Sequence, residues 1–361
     1  MARRGLLAAG IGAALAGGAA VGFVAERAIV RGRLVPPTPE EEGEVALGSL
    51  AGELTRVAGP DGLDVAIETY GPRGAPQLVL SHGWICTGRV WHEVVTRLSG
   101  RYRVITYDQP GHGRTDAPSD GHYDLDLLGD ALASVIATAT DPGPLVLAGH
   151  SLGGMTVLNA ARRHPQVRER LRGVALLSTT SSAKAERLGF ELGIRTIARL
   201  ERGLRRAVPT LRDPKVTSAA DRLTRSSSDL SYLVARWTSV GPNADPRIVT
   251  FTQQMALSSG SDVVFGLASA VLGVDEDAGL DALAEVPTTL MVGAHDRLTP
   301  VALSQRMAER SQARLIELAD VGHMSPLEAG EAVAEVLREH LEGRVSVDAD
   351  PRPQARAPGA A

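Results

Sequence analysis

Residues 145–154 read Leu145-Val146-Leu147-Ala148-Gly149-His150-Ser151-Leu152-Gly153-Gly154. Four apolar residues make a run of strand length, Gly149 to Gly153 spell G-x-S-x-G, and from Leu152 to Arg163 the spacing turns helical. A strand that turns directly into a helix leaves no room for large side chains two positions either side of the turn residue, hence glycine at 149 and 153. The same turn exposes the Ser151 hydroxyl above the sheet edge, near a helix N-terminus whose dipole favours developing negative charge. A structural serine at a helix start is the competing reading. The strand before it and the paired glycines favour a nucleophile.

Outward from this stretch the same alternation recurs. Gln77 to Ser81, Tyr102 to Tyr107, Val174 to Leu177, Thr288 to Val292 and Ala313 to Leu318 are further apolar runs of strand length. Helical spacing lies between them, as at Trp91 to Leu98 and Leu125 to Ala139. Continuous apolar strands separated by helices imply a parallel sheet buried on both faces and wound by right-handed crossovers. Upstream, two alternating runs between Leu54 and Tyr70 flank Gly59-Pro60-Asp61-Gly62, a turn signal that makes a β-hairpin. The interval 183–280 breaks the rhythm, with helical patterns interrupted by Pro209, Pro214, Gly241, Pro242 and Pro246. The expected fold is α/β, a mostly parallel central sheet with an N-terminal hairpin, its core at 54–182 and 281–343 and a helical lid at 183–280. Within the lid, Leu188, Leu192, Ile197, Leu200 and Leu204 form an apolar stripe beside a basic face of arginines. That pattern reads as a helix covering a pocket rather than one lying on a membrane.

A serine hydroxyl is a poor nucleophile at neutral pH and needs an imidazole base, itself held in one tautomer by a carboxylate. Gly293-Ala294-His295-Asp296-Arg297 follows the strand at Thr288, so Asp296 sits at a strand's carboxyl end. Val321-Gly322-His323-Met324 follows the last strand. Asp320 is too close in sequence to His323 to face it easily from the other side, and His295 reads as a loop residue. The candidate triad is Ser151, Asp296 and His323, in that chain order.

His82-Gly83 after the first parallel strand, Asp108-Gln109-Pro110-Gly111-His112-Gly113-Arg114-Thr115, Gly149 to Gly154, Asp296 and His323 together resemble the α/β-hydrolase superfamily. More narrowly they resemble its capped serine esterase, haloperoxidase-like and epoxide-hydrolase-like branch. The resemblance spans about Leu54 to Gly343 and is least specific in the lid. It implies an oxyanion hole built from the backbone N–H groups of Trp84 and Leu152, with Gly149, His150 and Gly153 shaping the nucleophile elbow. Some members carry the acid after the strand at Val174, where this chain has Ser178-Thr179-Thr180. Pro110 stands where many members have arginine, a departure that bears on loop packing. His82, His112 and His150 read as structural, and the 108–115 segment as a shaped loop.

Epoxide hydrolases and haloalkane dehalogenases on this fold use an aspartate nucleophile, which Ser151 argues against. The expected function is a serine hydrolase cleaving a carboxylic ester or related acyl bond of a small or lipid-like substrate, without a cofactor or metal. Perhydrolysis, C–C, lactone or amide hydrolysis and acyl transfer are alternatives on the same triad. A non-catalytic membrane-tethered binding module is the alternative of another class.

Composition and the chain ends bound the rest. The 361 residues are 43% hydrophobic and 22% charged with a net charge of −4, which provides no global field for nucleic acid. No nucleic-acid partner is expected. The single cysteine, Cys86, excludes an intrachain disulfide, a Cys-cluster zinc site and a CxxC redox pair. Residues 5–25 form an uncharged run, rich in Gly and Ala, long enough to cross a hydrocarbon core. Residues 1–33 are therefore expected to be a membrane anchor, with a cleaved signal segment and secretion as the second reading. Arg3 and Arg4 on one side face Arg27, Arg31 and Arg33 on the other, so charge does not choose the side. Residues 34–53 read as an extended linker and 344–361 as a disordered tail.

Overall fold

The computed structural model describes residues 46–183 and 228–346. Strands β1 (Glu53–Ala58) and β2 (Asp64–Tyr70) pair antiparallel through a turn at Pro60–Gly62, with Glu53 opposite Thr69 and Ala58 opposite Asp64. β2 runs antiparallel to β4 (Arg103–Tyr107). Every later pairing is parallel: β4 with β3 (Gln77–Ser81), β3 with β5 (Leu145–His150), and onward through β6 (Leu171–Leu177), β7 (Thr288–Gly293) and β8 (Arg314–Leu318). The expected hairpin and mostly parallel sheet are thus both present, in the order β1-β2-β4-β3-β5-β6-β7-β8. β4 lies on one side of β3 and β5 on the other. The loops leaving β3 and β5 therefore diverge at a topological switch point, where α/β sheets open a crevice at their carboxyl edge.

Helices α1 (His92–Leu98), α2 (Leu125–Ala139), α3 (Leu152–Arg163) and the short α4 (Pro165–Arg168) connect the central strands. The described part of the insertion carries α5 (Ser228–Thr238), α6 (Pro246–Ser258), α7 (Ser261–Leu272) and α8 (Asp277–Asp281). After β7 come α9 (Val301–Ser311), α10 (Ser325–Glu328) and α11 (Gly330–Leu341). α2 shows how sequence sets such a helix. The Asp124 side chain caps it by accepting Leu127 N–H at 2.7 Å, and Leu125, Leu128, Leu132, Val135 and Ile136 fall on one buried face. Leu132, Val135 and Ile136 of that face meet Val79, Ile105, Leu147, Val174 and Leu290 from the sheet in one continuous core. Each fully buried aliphatic side chain there contributes about 1.5–3 kcal/mol.

Several boundaries differ from expectation. β6 begins at Leu171 rather than Val174: exposed Arg172 interrupts the apolar run and sits at a register shift, with Leu171 opposite Leu145 on one side of it and Gly173 opposite Val146 on the other. β5 continues through Gly149 and His150, which pair with Leu176 and Leu177 although they look like turn residues in sequence. Of the segment read as a linker, Ala46–Gly52 is described, and it is seated on the fold. Gly48 N–H donates to His92 Nδ1 at 3.1 Å, and a Cβ at Gly48 would lie 2.6 Å from the Phe251 ring of α6. Among the described residues, the two ends of the insertion meet at a bridge, Ser182 opposite Asp275, flanked by Ala183 N–H to Val274 O and Glu276 N–H to Ser181 O.

The chain divides into two compact units. One, Ala46–Pro209 with Val234–Ala361, contains the sheet. Of the other, Met1–Val45 with Thr210–Leu233, the described residues are 228–233, the start of α5. Among the described residues no single helix is long and apolar enough to cross a membrane. The run 5–25, the basic lid stripe and most of the C-terminal tail lie outside the described residues.

Candidate active site

Ser151 sits between the last residue of β5 and the first of α3, at φ 52° and ψ −118°. A non-glycine residue held there costs about 1–3 kcal/mol, so the surroundings must impose it. They do so through the main chain: Ser151 N–H donates to Leu177 O at 2.9 Å, and the Thr179 hydroxyl donates to Ser151 O at 2.7 Å. The glycines are obligatory by space. A Cβ at Gly149 would stand 2.4 Å from Gly153 O, and one at Gly153 would stand 2.2 Å from Ser81 O. Leu152 is fully buried, and its N–H, in the first turn of α3, has no intrahelical acceptor.

Asp296 and His323 meet at the ends of β7 and β8. His323 Nδ1 lies 2.9 Å from Asp296 Oδ2 and 3.1 Å from Oδ1. The carboxylate also accepts Leu298 N–H at 2.9 Å, Thr299 N–H at 2.8 Å and the Thr299 hydroxyl at 2.8 Å. Burial pushes the Asp296 carboxyl up, but the His323 ring and these hydrogen bonds outweigh it and hold it below the ordinary carboxylate range. An ionised Asp296 favours the tautomer of His323 protonated at Nδ1, which leaves the lone pair on Nε2. No hydrogen bond joins Ser151 Oγ to His323 among the described residues. The two are linked one residue away, where His150 Nε2–H donates to His323 O at 2.8 Å and the two rings lie 5.0 Å apart. Hydrogen bonds between a nucleophile and its base are commonly long without substrate and tighten in the complex.

The His323 loop is held by groups that sequence reasoning missed. Ser239 O accepts both His323 N–H and Met324 N–H at 3.0 Å. Glu328 accepts Gly241 N–H at 2.6 Å, and Gly322 and Met324 N–H at 3.1 Å each. One carboxylate thereby grips both neighbours of His323 and the segment after α5. Burial raises the Glu328 carboxyl, with the three N–H donors working against it. Its only sequence signal was an acid five positions after His323, easily taken for a helix-surface charge.

The loop after β3 carries Trp84. Its indole N–H donates to Val263 O of α7 at 3.4 Å. Here α7 contributes Val263, Leu267 and Val271 to an apolar cluster with Leu152, Met155, Tyr123 and Leu125. Asp320 lies 4.0 Å from His295 and contacts neither Asp296 nor His323 among the described hydrogen bonds and ion pairs. Ser178, where an alternative acid would stand, is buried with its hydroxyl 3.4 Å from Ser325 Oγ. No group of three His, Cys, Asp or Glu among the described residues is arranged to hold a metal.

The chain is similar in sequence and fold to known proteins. A pimeloyl-[acyl-carrier protein] methyl ester esterase of Aeromonas hydrophila is 36% identical over 104 residues, 29% of this chain but only 38% of that enzyme's length. The enzyme of the same name from Neisseria meningitidis is 26% identical over 273 residues, covering 75% of this chain and 78% of that one. A thermophilic esterase from Thermogutta terrifontis has the same fold, with a TM-score of 0.63 at 23% identity over 81% of this chain and 98% of that one. The model of a family described as the alpha/beta hydrolase family matches residues 78–336, from β3 through most of α11. Strand order, nucleophile elbow and matched span agree: the chain belongs to the alpha/beta hydrolase family.

Proposed function

We propose that the protein is a serine hydrolase of carboxylic esters. The observation that carries this reading is the buried Asp296–His323 pair, 2.9 Å apart, whose backbone is hydrogen-bonded to the residue before Ser151. Ser151 Oγ attacks the ester carbonyl while His323 Nε2 takes its proton, and Asp296 stabilises the imidazolium through Nδ1–H. Negative charge collects on the carbonyl oxygen, which receives the N–H groups of Trp84 and Leu152, each worth about 10²–10³ in rate. His323 then protonates the leaving alkoxide. Water, deprotonated by His323, attacks the acyl-enzyme, and the acid departs with Ser151 regenerated.

The apolar surroundings of Leu152 and Trp84 favour an apolar acyl or alkyl group on the substrate. The long match to a methyl ester esterase supports the same class. Replacing Ser151 with Ala is expected to abolish both nitrophenyl-ester turnover and fluorophosphonate labelling. A variant that keeps either at the wild-type level overturns the reading. Residues 5–25 are proposed to anchor the enzyme to a membrane. Deleting residues 1–33 should then move activity from the membrane to the soluble fraction of cells, and unchanged partitioning counts against the anchor.

A further inference from the structure

The 108–115 segment has no part in the chemistry above, yet its histidine touches the loop that does. Ile85, directly after Trp84, has φ +54°. It occupies the third position of a turn closed by Cys86 N–H donating to Gly83 O at 3.2 Å, where a positive φ selects glycine. A β-branched residue is least suited to it. The Ile85 N–H donates to His112 Nε2 at 3.3 Å, while His112 Nδ1–H donates to Pro110 O at 3.1 Å. His112 is 1% exposed, and burial first, then the neighbouring His82 ring, hold its imidazole down to about 3. Nε2 therefore keeps its lone pair at every pH at which the enzyme would work.

The rest of the loop is fixed by a parallel set of contacts. His82 Nδ1–H donates to Gly83 O at 2.8 Å, and His82 Nε2 accepts Gln109 N–H at 2.9 Å. Gln109 Nε2 donates to His82 O at 2.6 Å, and Gln109 Oε1 accepts the Thr156 hydroxyl at 2.8 Å, on the helix that starts beside Ser151. These contacts hold the loop up to Gly83. Beyond it, the turn bond from Cys86 aside, the described hydrogen bond that engages the strained residue itself is from Ile85 N–H to His112.

We propose that His112 is a positioning residue for the oxyanion hole, its Nε2 accepting Ile85 N–H and so holding the left-handed turn that aims Trp84 N–H at the substrate carbonyl. This rests on the serine-hydrolase reading. Without the acceptor, Ile85 relaxes toward negative φ and the Trp84–Ile85 peptide swings. A misplaced donor of this kind costs about 10-fold or more in rate.

The test is a double-mutant cycle with His112→Phe and Ile85→Gly, because glycine adopts positive φ without help. In the Ile85 background, H112F is expected to lower kcat about 10-fold with KM within about two-fold, and to weaken a boronic-acid transition-state analogue by the factor lost from kcat/KM. In the Ile85→Gly background the same substitution should cost less than about three-fold. Equal costs in both backgrounds, or unchanged kcat in folded H112F, overturn the proposal. Should H112F fail to fold, His112→Gln supplies the test through its amide oxygen: it is expected to retain kcat within about three-fold in both backgrounds, and a loss as large in I85G as with Ile85 overturns the proposal. Ser151→Ala separates the premise from the inference, since undiminished turnover there removes the serine-hydrolase reading whatever the cycle gives.

Discussion

Four imidazoles are sealed from water, each at most 1% exposed: His82, His112, His150 and His340. Burial, the first cause in each case, lowers them from 6.5 to about 4 for His82 and His340 and to about 3 for His112 and His150. A lowered histidine means that below pH 6.5 the unfolded chain binds protons that the folded protein refuses. Stability is therefore complete above 6.5 and is lost as pH falls toward 4. Between pH 7 and pH 5 each site withdraws about 2 kcal/mol, and four withdraw about 7 kcal/mol. Glu328 acts in the opposite sense: its carboxyl is raised by burial, so the folded state takes up at most one proton that the unfolded chain releases. His92, also lowered by burial, adds in the same sense as the four, so the net is about three protons or slightly more, about 4 kcal/mol per pH unit near pH 5.5, against a total stability of about 5–15 kcal/mol. Urea unfolding followed by circular dichroism at pH 7, 6 and 5.5 should show this slope. His340→Gln, which keeps a donor toward the Thr289 hydroxyl 3.0 Å away, should reduce it by about one proton. A stability independent of pH across this range, or a slope untouched by H340Q, refutes the reasoning.

Three further outcomes follow from the site and its supports. Asp296→Asn should leave the fold intact and lower kcat by about 10⁴-fold, because the amide favours the wrong tautomer of His323; steady-state kinetics with nitrophenyl esters checks this. Glu328→Gln turns an N–H₂ toward backbone donors that now meet a carboxylate, and should cost about 1–3 kcal/mol in urea unfolding together with a drop in kcat. Glu276 is 3% exposed and bonded to Asn159 Nδ2 at 2.7 Å and Arg162 Nε at 2.9 Å. Glu276→Ala should cost about 2 kcal/mol in urea unfolding, the figure being held down because Arg162 reaches solvent.

The sheet was readable where burial is uniform. β3 is covered at all five positions and its sequence is apolar nearly throughout, so Gln77–Ser81 stood out with the right ends. Where pairing and burial part company, hydropathy misplaces the boundary. Leu171 is paired beyond Arg172, a wet residue at a register shift, and Gly149 and His150 are paired but have turn-like side chains. The seat of Gly48 against His92 and Phe251 had no sequence signal, because a glycine recognised by what it lacks leaves no apolar pattern. For the insertion, composition gave helices and no pairing. The bridge at Ser182 and Asp275 joins residues 93 apart through main-chain atoms, which every sequence possesses alike.

The same distinction governs the site. Ser151, Asp296 and His323 each follow a strand, so chain order and the carboxyl-edge rule were enough to nominate them. The groups that fix their geometry work on peptide N–H and C=O atoms instead: Thr179 on Ser151 O, Ser239 O on His323 N–H, Glu328 on Gly322 and Met324, His150 on His323 O. Such contacts carry no side-chain spacing, and the acceptors Ser239 and Glu328 look like ordinary surface residues. They also span the elements that must stay in register. Ser239 follows α5 in the insertion, and Glu328 ties Gly241, two residues further on, to the His323 loop. A displacement of that segment would therefore pull directly on the His323 loop, so under the proposed mechanism substitutions near Ser239 and Gly241 should act on kcat without touching substrate, whereas substitutions in α7 beside Trp84 and Leu152 should act on acyl selectivity.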